Sequence, residues 1–303
     1  MFILVLEQVI KFFCFMMLGF IFRKTGLLSS DTTKVLSKLE VNLFLPAVIF
    51  NSFSQNFTVA NLKLNFLLII VSICVVILSI IVSTILACFF TKDAYHRKVA
   101  TYAMVVPNVS YVGIPLIMSL YGNDAVMRVL IFMIPNMIYT STEGFRLLLD
   151  KKKRSLSTLL NMQFFAILVG ILFGLLNLKI PKLFSEVITG CANCLSPIAM
   201  ILTGCVIAQF SFRKILSNLL VYKVVFTRMI ILPFVFISLA KIMNLMPEII
   251  FAIVAVQTMP TALNTVIFPA SVGKDCNLGA GMACVSNILA IVLLPLLFHV
   301  FIG

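Results

Sequence analysis

Residues 100–122 read ATYAMVVPNVSYVGIPLIMSLYG, and residues 247–273 read PEIIFAIVAVQTMPTALNTVIFPASVG. Each stretch is long and apolar enough to cross a bilayer core, which takes a helix of ~20 residues. Yet each carries two prolines, Pro107 with Pro115 and Pro260 with Pro269. Proline removes a backbone donor and presses its ring on the carbonyl four residues back, so a helix bends or breaks there. Polar residues gather at the same places: Asn108 and Ser110 in the first stretch, and Gln257, Thr258, Thr261, Asn264 and Thr265 in the second. One proline in a membrane helix often only kinks it, with Ser or Thr re-satisfying the freed backbone. Two interrupted helices at matching places in one chain point further. Half-helices meeting inside the membrane leave N-terminal N–H groups and partial positive charge there, a setting for an anionic group.

The rest of the chain supports a membrane setting. Hydrophobic residues make up 62% and charged residues 11%, against roughly 45–50% and 25% in soluble domains. Ten apolar runs are predicted to span: 2–22, 35–55, 64–90, 96–121, 125–148, 158–177, 183–209, 218–242, 247–270 and 277–302. The first is read as a retained helix, because it is apolar from its second residue and lacks a basic leader. The net charge of +13 comes from basic residues in short loops. With the N-terminus outside, the odd-numbered loops hold fourteen of them, from Arg23 and Lys24 through the run Lys151–Arg154 to Lys274. The even-numbered loops hold four, Lys63, Lys179, Lys182 and Lys241. Basic loops stay cytoplasmic, so both termini are expected outside. The charge therefore reports topology, and nucleic-acid binding is not expected.

Internal matches recur at one offset. Gly19, Pro46, Gly122, Asp124 and Asn136 are followed 151 residues later by Gly170, Pro197, Gly273, Asp275 and Asn287. Each pair falls in equivalent runs or in the equivalent loop between the fourth and fifth runs of a copy. Five helices per copy is odd, so the second copy enters the membrane from the opposite side, the inverted-repeat plan of many secondary transporters. The fold expected is all-α, with ten transmembrane helices in two inverted five-helix repeats, 1–150 and 158–303, joined by a basic cytoplasmic linker at 151–157.

At VNLFLPAVIF (41–50), VPNVSYVGIPL (106–116) with the following YGND, and QTMPTALNTVIFPA (257–270), the chain resembles the auxin efflux carrier family. This family comprises bacterial malate- and malonate-permease-like proteins and plant auxin exporters. The resemblance runs along essentially the whole chain, and the PNxxxxGIP stretch is its more specific part. It implies the fold of bile-acid sodium symporters and related antiporters, with the fourth and ninth helices crossing. It implies a scaffold of helices 1, 2, 6 and 7, a moving transport domain of helices 3–5 and 8–10, and elevator-type transport of organic acid anions across the plasma membrane. It maps the family's crossing asparagine to Asn108 and leaves room for a homodimer through the scaffold helices. The long central loop of the plant exporters is replaced here by a short one.

The candidate substrate site therefore comprises Pro107, Asn108, Ser110, Tyr111 and Asn136 from the first half, and Pro260, Thr261, Asn264 and Asn287 from the second. Gln257, Glu143 and Arg228 are candidates for ion coupling, since intramembrane polar and charged groups default to function. For Glu143 the plainer reading is a local pair with Arg146. Arg228 could face a substrate carboxylate or an unseen acidic partner. Glu7 and Lys11 are expected to pair at i,i+4.

The eight cysteines suggest neither disulfides nor a metal set; most lie in apolar runs, and the Cys191–Cys194 pair has no second pair or His partners. No cofactor is expected. The alternative function is a sodium- or proton-coupled symporter of bile-acid-like or other organic anions. A membrane enzyme fits less well, because no HExxH, paired carboxylates or Ser–His arrangement is found; a channel, also less expected, would be told from a carrier by non-saturable flux.

Overall fold

A computed structural model describes residues 2–149, 162–210, 217–270 and 274–302. The basic linker at 151–157, Arg213, Lys214 and Gly273 lie outside the described residues. Every described element is helical, apart from one isolated two-residue bridge. In chain order the α-helices are α1 (Phe2–Lys24), α2 (Ser30–Leu39), α3 (Leu45–Asn56), α4 (Leu62–Phe90), α5 (Ala94–Val105), α6 (Ile114–Tyr139) and α7 (Phe145–Leu149). They continue as α8 (Met162–Leu175), α9 (Lys182–Asn193), α10 (Leu195–Ile207), α11 (Leu219–Phe226), α12 (Leu232–Ile242), α13 (Pro247–Gln257), α14 (Asn264–Ala270) and α15 (Asn277–Ile302).

Seven stretches among the described residues are long and apolar enough to cross a membrane, and α8 and α13 are shorter apolar helices. The difference from the ten predicted runs has physical causes. The fourth and ninth runs are each cut in two at their prolines, and the described part of the sixth begins only at Met162. The stretch Val109–Leu148, 40 residues long, would extend ~60 Å if straight, twice a bilayer core. It turns at Gly122, whose φ of 76° and ψ of −173° are open to glycine and strained for other residues. α6 is thus two helices meeting at the corner where the fourth run was predicted to end.

Three of the described π-helical turns share one cause. Glu40–Phe44, Val109–Gly113 and Thr227–Ile231 each end two residues before a proline, namely Pro46, Pro115 and Pro233. The carbonyl a proline displaces lies four residues back, which places it inside the turn in all three. Widening that turn relieves the clash without ending the helix.

The α4 helix shows which solvent surrounds the fold. Phe66, Ile70, Ile73, Ile77, Ile81 and Ile85 are exposed at helical spacing, while Asn65, Ser72, Ser79 and Ser83 are buried. Apolar groups outward and small polar ones inward is the pattern of a helix bathed in lipid, where small residues and hydroxyls make the interhelical contacts. The Ser72 hydroxyl, for one, donates to the Phe132 carbonyl on α6.

Two helix crossings are set by glycine. On α1, a Cβ at Gly19 would collide with the Ile201 carbonyl of α10, and one at Gly204 of α10 with the Met16 carbonyl of α1. On α8, a Cβ at Gly170 would lie 2.7 Å from the Phe53 Cβ, and one at Gly174 2.5 Å from the Phe57 carbonyl oxygen, both at α3. So the first run packs on the seventh, and the sixth packs on the second, each through a glycine pair.

One expectation fails here. Glu7 and Lys11 form no ion pair; both are exposed on the outer face of α1. Cys14, Cys74, Cys88 and Cys194 are exposed, while Cys205, Cys276 and Cys284 are buried; all eight are free thiols.

Candidate functional site

Helix α5 starts at the N-cap Asp93, whose side chain accepts from the His96 N–H at 2.7 Å. It ends at Val105 because Pro107 follows: Val106 is extended (φ −98°, ψ 113°), as a residue just ahead of a proline restriction tends to be. Helix α13 opens with Pro247 in its first turn, where a missing N–H costs nothing, and stops at Gln257, three residues before Pro260. The chain is then non-helical until Asn264.

The two breaks lie side by side and antiparallel. Pro107 bridges to Thr261. The Asn108 N–H donates to the Pro260 carbonyl at 2.8 Å, and the Ala262 N–H to the Val106 carbonyl at 3.3 Å. Thr261 is held from α15, its N–H donating to the Ser286 hydroxyl at 3.2 Å and its own hydroxyl 3.0 Å from the same oxygen. Away from water, freed backbone groups must find partners within the protein, and each break supplies them to the other.

Arg228 secures the C-terminal ends of both half-helices. It lies in the π turn of the eighth run and is fully buried. Its Nη1 donates to the Met104 carbonyl at 3.3 Å and to Gln257 Oε1 at 3.0 Å. Its Nη2 donates to the Val256 carbonyl at 3.0 Å, and its Nε to the Met259 carbonyl at 3.3 Å. These carbonyls close α5 and α13, where the helix dipole is negative, so one guanidinium answers two helix ends. Neither expectation for Arg228 describes this arrangement: its described partners are backbone carbonyls and one amide, and it is not among the cavity-lining residues.

Beside the breaks lies a cavity of about 280 Å³. Pro107, Asn108, Ser110, Tyr111, Asn136 and Asn264 line it, together with Glu40, Thr140, Ser141 and Gln163. Asn108 is 2% exposed, and neither its amide nitrogen nor its amide oxygen has a hydrogen-bond partner. It precedes the turn Val109–Gly113, so it stands at a helix start with unpaired N–H groups. Asn136 donates to the Val105 carbonyl at 3.2 Å, and Asn264 to the Tyr102 hydroxyl at 3.2 Å.

The other candidates lie elsewhere. Pro260 and Thr261 belong to the paired breaks and do not border the cavity. Asn287 donates to the Ala283 carbonyl of its own helix at 2.8 Å and borders a separate void of about 20 Å³ beside Val9 and Phe12. Gln257 is taken up by Arg228. Glu143 pairs with Arg146 at 2.6 Å, the plainer of its two readings.

Glu40 is the residue the sequence analysis missed. It is 1% exposed, lines the cavity, and has no hydrogen-bond partner at either carboxyl oxygen. It follows the polar helix SDTTKVLSKL and falls inside the second predicted run, 35–55. The available signal was its place directly before VNLFLPAVIF, six residues ahead of a proline.

A helical, lipid-facing protein with two broken helices paired over a buried polar cavity belongs to the class of membrane transporters. The family model described as membrane transport protein matches residues 4–158 and 151–298. The chain belongs to that family, the auxin efflux carriers. No curated protein matches it.

Proposed function

We propose that the protein is a secondary carrier of small organic acid anions, such as malate, malonate or auxin-like carboxylates, working by alternating access. The observation that carries this reading is the Asn108 amide, buried and unpartnered at a helix start on the cavity side of the paired breaks. A carboxylate there would accept from that amide and from the first-turn N–H groups, with the helix dipole in its favour. In sequence, Glu40, Thr140 and Gln163 lie toward those ends of the second, fifth and sixth runs that the predicted basic loops join. A basic rim would raise the local concentration of anions.

The same reading includes ten spans in two inverted repeats, both termini outside the plasma membrane, and a scaffold of runs 1, 2, 6 and 7. Its support is the shared offset of Gly19 and Gly170 and the equivalent crossings those glycines make. Elevator motion would carry the breaks and the cavity wall past that scaffold. Reconstitution into liposomes tests the function. Saturable uptake of labelled dicarboxylate, accelerated by unlabelled substrate on the opposite side, is expected. Non-saturable flux without exchange would mark a channel, and no flux of any carboxylate would remove the reading.

A further inference from the structure

The cavity contains a contradiction for an anion carrier. Its lining includes Glu40 and, among the described residues, no Lys, Arg or His. Neither Glu40 oxygen meets a donor. The elements packed on its turn are α2, α3, α8, α9 and α10. On α2, Asp31 and Lys34 pair with each other on the surface, and Lys38 is exposed. On α9, Lys182 and Glu186 pair at 3.8 Å, also on the surface. The α3 and α8 helices carry no charged residue, and α10 offers only the Cys205 thiol, which donates to the Gly19 carbonyl. Tyr111 lines the cavity beside Glu40.

A carboxylate buried without a partner is strongly disfavoured, and such a group is usually neutralised. A second negative charge in the same low-dielectric space opposes it further. Resting on the proposal that the cavity takes an organic anion, we propose that the anion binds only with Glu40 protonated. The proton comes from the solution to which the cavity is open, and binds one Glu40 oxygen. The neutral carboxyl then has an O–H to donate to the substrate carboxylate, opposite the Asn108 amide. When Glu40 loses its proton to the solution, the anion is expelled. Loading is therefore linked to one proton per anion, and the residue that makes the link belongs to the second run.

Purified full-length protein in detergent or nanodiscs tests this with malonate and malate as probes. Dissociation constants are measured across pH 5 to 10 for wild type, Glu40→Gln and Glu40→Asp. Wild-type affinity is expected to fall with rising pH, approaching tenfold per pH unit. Glu40→Gln, fixed in the neutral form, should hold its affinity at alkaline pH, while Glu40→Asp should restore the dependence. Identical pH profiles for wild type and Glu40→Gln would overturn the proposal. So would loss of binding at every pH in a folded Glu40→Gln protein, the result expected if the carboxylate serves a cationic ligand. Infrared difference spectra supply a readout independent of ligand. A protonated carboxyl band present at neutral pH in wild type and missing in Glu40→Gln is expected. If no carboxylate binds wild type at any pH, the anion reading fails, and the infrared band alone then decides the protonation state.

Discussion

Asn108 and Arg228 both meet the two breaks, and their side chains are used in opposite ways. The Asn108 amide makes no hydrogen bond within the protein; its backbone N–H does the pairing. Asn108→Ala therefore removes nothing the fold relies on. Its melting temperature should stay within a degree or two of wild type, while affinity for a carboxylate falls. A hydrogen bond to a charged group is worth roughly 1.5–3 kcal/mol, or about one to two orders of magnitude in the dissociation constant. Lipid-facing Ile77→Ala is a suitable control. Arg228→Met should behave the other way. It removes the guanidinium bonds to the Met104, Val256 and Met259 carbonyls, and we expect a loss of about 3 kcal/mol or more in stability. Arg228→Lys should recover only part, because an ammonium lacks the planar fork that reaches two helices at once. Thermal unfolding and ligand affinity measured on the same preparations separate the two residues; a stable Arg228→Met protein would refute the helix-end role. The Asn108 position was legible in the sequence because proline marks a break and asparagine beside it is costly in lipid without a purpose. The Arg228 contacts were not, since its partners are backbone carbonyls, which no side-chain pattern announces. Glu40 was hidden for a related reason: its isolation is a property of the space around it.

At the scale of elements, the breaks were readable and the cavity wall was not. Pro107 and Pro260 each forbid a continuous helix, and the chain departs from helix where they stand. The π turns were half-readable, because the prolines are visible but the choice between a break and a widened turn depends on packing. Asn287 shows the limit of reasoning by repeat. It matches Asn136 in sequence, yet only Asn136 borders the large cavity. The glycine crossings give the sharpest test at this scale. Gly19→Ala places a methyl group onto the Ile201 carbonyl of α10, and Gly170→Ala places one against Phe53. Backbone cannot yield as a flexible side chain can, and overpacking costs typically ~1–3 kcal/mol. Both variants should lower the melting temperature, Gly19→Ala more, because its collision is with backbone. Gly190→Ala, which meets nothing within 4 Å, should be neutral. Equal melting temperatures for all three would mean that α1 and α10 do not hold that spacing.

For the whole molecule, the two breaks divide accessibility between a polar cavity and a dry seam. Ser141 and Gln163 line the cavity, near the ends of the fifth and sixth runs that flank the basic linker. Thr261 is fully buried in the seam and tied to Ser286. The proposed topology puts the basic linker in the cytoplasm, so the cavity should open to that side. A variant without its eight native cysteines would carry single cysteines at Ser141, Gln163 or Thr261. In inside-out vesicles a membrane-impermeant thiol reagent should label Ser141→Cys and Gln163→Cys quickly. In right-side-out vesicles, where only the outer face meets reagent, the same positions should label at least tenfold more slowly. Thr261→Cys should resist labelling from both sides. Substrate should slow the labelling of Ser141→Cys, by occupancy or by moving the cavity wall away from the cytoplasm. The first cause leaves Gln163→Cys equally protected, whereas a moving wall would change the two positions unequally, because they belong to different runs. Rapid labelling of Gln163→Cys from the outer face alone would invert the topology and with it the side from which Glu40 draws its proton.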